Sequence, residues 1–194
     1  MKTWSVRNAA ACSLLCCHHS IQTNTLPVFS PMSTSTQTPQ STSNDRELVL
    51  TRIINAPPQK VYAAWTTPEL VVQWFAPKPW TTKSAVMDVR PGGSSMVVMC
   101  SPEGQEFPNP GVYLEVVPNK KLVVTDAYTK AWELSEKPFM TLILTFEDAG
   151  AGKTKYTARA LHWNAADREA HEKMGFHQGW GQCTDQLEAL VGAR

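Results

Sequence analysis

No acidic residue precedes Asp45 in this 194-residue chain, and residues 33 to 44, STSTQTPQSTSN, carry neither an apolar nor a charged side chain. Such a stretch buries too little surface to offset the entropy of ordering it. Residues 1–45 therefore read as a flexible leader or linker ahead of one folded body, residues 46–194. Lys2 and Arg7 beside the short run AAACSLLCC, with no acids nearby, suit an organelle transit peptide or an export signal. The alternative is that Met32 is the true start and what precedes it is a non-native extension. Without a targeting segment, the expected location is the cytoplasm.

Cysteine is also scarce. Of five, Cys12, Cys16 and Cys17 fall in the leader beside His18 and His19, where CxxxCCHH is a weak metal signature; only Cys100 and Cys183 lie in the body. Two cysteines make no disulfide framework and suit a reducing compartment. No apolar run approaches the roughly 20 residues of a membrane-spanning helix, so no membrane partner is expected. Net charge is nearly absent too: from Arg46 onward, 16 Lys and Arg face 16 Asp and Glu. That balance offers nucleic acid no footprint.

What is present has a clear order. ELVLTRII (47–54) is β-branched and of strand length, and Asn55 with Pro57-Pro58 ends it. Val61, Tyr62 and Trp65 then keep helical spacing, and Thr67-Pro68-Glu69 opens a second short helix that Pro77 and Pro79 stop. Six runs with period two follow, TTKSAVMDV, SSMVVMC, GVYLEVV, KLVVTDAY, MTLILTF and KTKYTARAL, joined by turn-like stretches such as RPGG and VPNK. Hairpin-length connections predict an antiparallel meander. The spacing of Phe176, Trp180, Leu187 and Val191 predicts one long closing helix from Asp167 to Val191, about 37 Å at 1.5 Å per residue, with Asn164 as its N-cap. Gly175, Gly179 and Gly181 each cost such a helix roughly 1 kcal/mol relative to alanine, so Gly175 and Gly179 are expected to face a hollow where a ligand approaches the backbone. The expected fold is α+β: a seven-stranded curved antiparallel sheet wrapped around a long C-terminal helix, with two short helices after the first strand.

Familiar catalytic signatures fail one by one. His171-Glu172 begins like the zinc motif H-E-x-x-H, but Gly175 stands where the second histidine belongs. Gly152-Lys153-Thr154 ends like a P-loop, yet Glu147 occupies the position of its first glycine. His171 and His177, six apart on a helix, point to different sides. No metal or other cofactor is expected.

Single residues stand out by place. His162 ends the last strand, on the parity of Tyr156, Ala158 and Ala160, and Asp126 continues the apolar face of Leu122 and Val124, with Tyr128 two residues on. A carboxylate or imidazole on such a face needs a partner or a shifted pKa, so Asp126 and His162 are the candidates for acid/base chemistry or ligand anchoring. Tyr113 and Glu115 share the opposite face of their strand and read as solvent-side residues. Trp74, Phe75 and Trp80, between prolines, are candidate cavity-rim residues, and Met99 and Met174 supply adaptable apolar surface.

The stretches ELVLTRIINAP, VYAAWTTPELVVQWFAPKPW, GVYLEVVPNKKLVVTDAY and LHWNAADREAHEKMGFHQGWGQCTDQLEAL, in that order, resemble the helix-grip superfamily of START and Bet v type, and within it the branch named for the activator of the heat-shock-protein-90 ATPase. The resemblance covers residues 47 to 191. It implies a hydrophobic cavity between sheet and closing helix, but no particular reaction, because that scaffold hosts binding, transport and cyclisation alike. The leading expectation is a protein that binds a small apolar or aromatic molecule. A cyclase- or hydrolase-type enzyme working without metal, and a co-chaperone that stimulates a chaperone ATPase, are the alternatives. A homodimer remains open.

Overall fold

The structure, a computed structural model, describes residues 43–130 and 132–192. The leader cysteines and His18-His19 lie outside the described residues. A single 3-10 turn, Ser43–Arg46, leads into β1 (Glu47–Ile54), α1 (Pro58–Thr66) and α2 (Pro68–Trp74). There follow β2 (Thr81–Met87), β3 (Ser94–Cys100), β4 (Glu106–Val117), β5 (Lys121–Thr125), β6 (Tyr128–Lys130), β7 (Glu133–Leu134), β8 (Met140–Asp148) and β9 (Thr154–His162), then α3 (Ala165–Lys173) and α4 (Phe176–Gly192). Seven strands form one sheet in the order β1-β9-β8-β5-β4-β3-β2, every pair antiparallel, and β6 and β7 form a separate hairpin.

Burial alternates strictly along β9, where Thr154, Tyr156, Ala158, Ala160 and His162 are all buried. Period-two burial means one face is the core, and α1, α2 and α4 cover it. Ile54, Val61, Trp65, Leu144, Tyr156 and Leu187 belong to one continuous cluster there. α4 also clasps the segment after α2. Gln186 Nε2 donates to the carbonyls of Trp74 and Ala76 at 2.8 and 2.9 Å, and Cys183 Sγ to that of Phe75 at 3.2 Å. These bonds satisfy carbonyls that the end of α2 leaves open.

Three local features depart from the sequence expectation. First, the closing helix is broken at Gly175, where φ is +93°. Gly175 terminates α3, its N–H bonding the Glu172 carbonyl at 2.9 Å, and its own carbonyl accepts the first bond of α4 from Gly179 N at 2.9 Å. Periodicity alone carried the reading across the break, because a single left-handed residue does not interrupt the apolar spacing. α4 is thus 17 residues, about 26 Å long. Asn164 does cap α3, its side chain accepting from Asp167 N at 2.9 Å.

Second, a bulge in β4 reverses part of its parity. Tyr113 pairs with Val124 and Glu115 with Val123, which leaves Leu114 as the extra residue. Tyr113 therefore turns inward and is 2% exposed, while Glu115 stays outside and meets Lys121 at 2.8 Å. The solvent-side reading holds for Glu115 and fails for Tyr113. Third, β5 stops at Thr125, so Tyr128 does not continue its face but sits in the β6–β7 hairpin against Trp132, ring centroids 5.7 Å apart. β4 in turn begins earlier than its period-two run, at Glu106, despite Pro108 and Pro110; there it pairs with β3 alone, so no ladder bond to β5 is lost.

The glycines separate by conformation, and so do the expected effects of filling them. Gly175→Ala forces a side chain into the left-handed region and should lower stability by about 1–2 kcal/mol. Gly179 has no heavy atom within 4 Å of an added Cβ and lies inside α4, so Gly179→Ala should raise stability by up to about 1 kcal/mol. Urea unfolding of the two variants, read by circular dichroism, checks the opposed signs.

Candidate functional site

The fold leaves a hollow at the N-terminal end of α4. It has two chambers: a larger one of about 580 Å³ against α4 and α2, and a smaller one of about 360 Å³ along β4, β5 and β8. Trp65, Phe75, Asn109 and Met140 belong to the walls of both. α1 and α2 set the aromatic wall. Trp74 Nε1 donates to the Ala64 carbonyl at 3.0 Å, and its ring meets Trp65 edge-on with centroids 4.7 Å apart, which fixes both indoles. Trp80 packs on Phe107 at 4.9 Å.

Of the residues singled out from the sequence, Trp74, Phe75, Trp80, Met99, Met174, Gly175 and Gly179 line the larger chamber. Met174 is 69% exposed and so belongs to its mouth. Gly179 opens onto empty space, whereas Gly181 is buried, with Arg52 Nη2 3.6 Å from where its Cβ would stand. The hollow thus accounts for Gly179, the helix break for Gly175, and the cover by Arg52 for Gly181. Tyr128 lines neither chamber.

Asp126 lines the smaller chamber, but its oxygens are occupied. They accept from Phe139 N at 2.9 and 3.0 Å and from Met140 N at 3.0 Å. Partial burial raises its pKa and these backbone bonds pull it down; burial is the larger effect. Asp126 therefore pins the start of β8, and with it Phe139. The Phe139 ring lies edge-on to His162, centroids 5.3 Å apart, and 5.1 Å from His171.

His162, 1% exposed, lines neither chamber, because both its nitrogens are engaged. Nδ1 meets the Arg46 carbonyl at 2.9 Å and Nε2 meets His171 Nδ1 at 2.9 Å. The residue that reaches the larger chamber is His171, on the last turn of α3. A carbonyl only accepts, so His162 carries its proton on Nδ1; its Nε2 then accepts, and His171 Nδ1 must donate. In that tautomer His171 Nε2 is a bare acceptor. Sequence reasoning chose His162 and treated His171 as an ordinary helix histidine. Its one available signal was place: nine residues after a strand-end histidine, across a single turn.

Burial, and secondarily the neighbouring His162, holds the His171 pKa down to about 4. Burial likewise pushes the Tyr113 phenol up to about 12 and the Cys183 thiol up to about 12. None of these three groups is charged near neutrality.

Residues 55–192 match the family described as Activator of Hsp90 ATPase homolog 1-like protein. The chain belongs to this family. A solved structure from Nitrosomonas europaea is similar to it at 40% identity, covering 76% of this chain and 95% of that one, with a TM-score of 0.73. Proteins from Staphylococcus epidermidis (26% identity, 76% and 90% covered, TM-score 0.63) and Chromobacterium violaceum (25%, 76% and 99%, TM-score 0.63) are similar as well. No curated protein matches the chain. The chain has the helix-grip fold, with two short helices after the first strand, a seven-stranded antiparallel sheet and a closing helix, and it superposes on these neighbours. Among the described residues no helix is long and apolar enough to cross a membrane.

Acid should act on His171 in a definite direction. The folded-state pKa of His171 lies near 4 against an ordinary 6.5, so within that window the unfolded chain binds a proton that the folded chain refuses. Stability attributable to this group is complete above pH 6.5 and falls as pH drops toward 4. Urea midpoints measured across the window should fall more steeply for the wild type than for His171→Phe.

Proposed function

We propose that the protein binds a small apolar or aromatic molecule in the larger chamber, between the sheet and α4. The observation that carries this reading is a hollow of about 580 Å³ with no Asp, Glu, Lys or Arg in its wall, opened by a helix glycine that has nothing within 4 Å. Its size and apolar, aromatic lining fit the usual range of small-molecule sites, about 300–1,000 Å³. Four large aromatic residues, Trp65, Trp74, Phe75 and Trp80, line the α1–α2 side, and two of them are locked by the hydrogen bond and ring contact described above. A rigid aromatic wall loses little conformational entropy when a flat molecule packs on it. Residues 1–45 remain, on this reading, a leader ahead of the binding domain.

Gly179→Leu places a side chain in the chamber from a helix position where an added Cβ meets nothing within 4 Å. A titration with 2-methylnaphthalene, followed by quenching of tryptophan fluorescence, should give an affinity weaker by about tenfold or more in this variant, equivalent to 1.4 kcal/mol or more. The unfolding midpoint should hold or rise. Equal affinity in variant and wild type would overturn the assignment of the chamber. Stimulation of a chaperone ATPase by a protein that takes up no such molecule would replace this reading with the co-chaperone one.

A further inference from the structure

The wall of the larger chamber is mostly apolar and aromatic, and His171 is the titratable nitrogen base that reaches it. We propose that His171 Nε2 is the polar anchor of the chamber and accepts a hydrogen bond from the hydroxyl of a flat hydroxyaromatic ligand, of phenol or naphthol type. This rests on the chamber being a small-molecule site and adds which chemical class it takes.

The hydrogen-bond relay starts at the Arg46 carbonyl. That oxygen fixes the proton on His162 Nδ1 at 2.9 Å, His162 Nε2 accepts, and His171 Nδ1 donates across 2.9 Å. His162 is buried to 1% exposure, so no water competes for its nitrogens. The His171 ring is held on two further sides, by Phe139 with centroids 5.1 Å apart and by Phe176 at 5.0 Å and an interplanar angle of 79°. His171 Nε2 is therefore an oriented lone pair whose tautomer is set two groups away, at the Arg46 carbonyl.

Of the other polar side-chain atoms of the chamber wall, Trp65 Nε1 is a buried donor without a partner, whereas two are already spent. Asn109 Nδ2 donates to the carbonyls of Val97 and Phe107 at 3.2 and 2.8 Å, and the Cys183 thiol donates to that of Phe75. An ammonium ligand would enter a wall that holds no carboxylate, and a carboxylate ligand would meet a lone pair with no cation beside it. A neutral O–H donor suits the site. Stacking against Trp65, Trp74, Phe75 and Trp80 favours that hydroxyl on an aromatic ring. His162 acts here as a positioning residue, since it touches His171 and not the chamber.

Two isosteric probes isolate the anchor: 2-naphthol and 2-methylnaphthalene, which differ by hydroxyl against methyl. Wild type should bind 2-naphthol about tenfold tighter, the worth of one hydrogen bond to an otherwise unpaired acceptor. In His171→Leu that preference should vanish, so that the two probes bind this variant equally well. A measurement on the unaltered protein guards against a variant that fails to fold. In long-range nitrogen–proton correlation spectra, His171 should read as the Nδ1–H tautomer, and 2-naphthol but not 2-methylnaphthalene should shift its Nε2. Binding of both probes with equal affinity, or a proton found on His171 Nε2, overturns the anchor and leaves the chamber intact. Failure of either probe to bind overturns the chamber reading and the anchor with it.

Discussion

A seven-stranded sheet and a single 17-residue helix are mismatched in area, and the rest of the structure follows from that mismatch. Six strand spacings of about 4.8 Å make a face about 29 Å across, of which α4, about 26 Å long and 10–12 Å wide, covers only a part, with α1 and α2 sharing the cover. The shortfall is met unequally. Toward its C-terminal end α4 sets Cys183, Leu187 and Val191 into the main cluster with α1 and the centre of the sheet. Toward its N-terminal end only Phe176 and Trp180 reach a second, smaller cluster with Leu48 and Ala160. The hollow lies where α4 gives glycine in place of a large side chain, and the clasp of Gln186 on the end of α2 keeps the aromatic wall from collapsing into it.

The histidine pair depends on the same geometry. An unbroken helix from residue 165 onward would carry His171 along the axis of α4. The left-handed turn at Gly175 instead lets α3 take its own direction, and on it His171 comes within 2.9 Å of the last inward residue of β9. Asp126, at the far end of β5, contributes from the other side by fixing the backbone of Phe139, whose ring touches both imidazoles. Two residues that sequence position marked separately thus act on one point, and neither of them is the group that faces the chamber.

Most of the architecture was legible because its signals are long and redundant. Each strand repeats its parity over several residues, and Asn164, Pro58 and Pro68 mark helix starts by chemistry that few other sites need. What escaped were single-residue events. One extra residue at Leu114 turns Tyr113 inward, one positive φ at Gly175 divides a helix, and the end of β5 at Thr125 detaches Tyr128 from the face it would otherwise continue. None of these alters the apolar periodicity enough to be seen in it. The choice of His162 over His171 failed for a related reason: strand parity shows which residue is buried, and burial at a chain turn leaves open which neighbour it is buried against.

The open chamber also bears on how stable the fold is when empty. Interiors pack to near-crystalline density, and a wall that faces a void forfeits the dispersion contacts it would otherwise make. Gly179 adds a helix-propensity cost of roughly 1 kcal/mol for a side chain that the space would accept. A molecule occupying the chamber only in the folded state offsets such costs by mass action, about 2.7 kcal/mol when its free concentration is a hundred times its dissociation constant. On the proposed reading, then, the same glycine that weakens the empty helix makes room for what stabilises the occupied one. On the same reading, the hydrogen bond from His171 Nδ1 to His162 leaves Nε2 as an acceptor, which favours an occupant that brings its own donor.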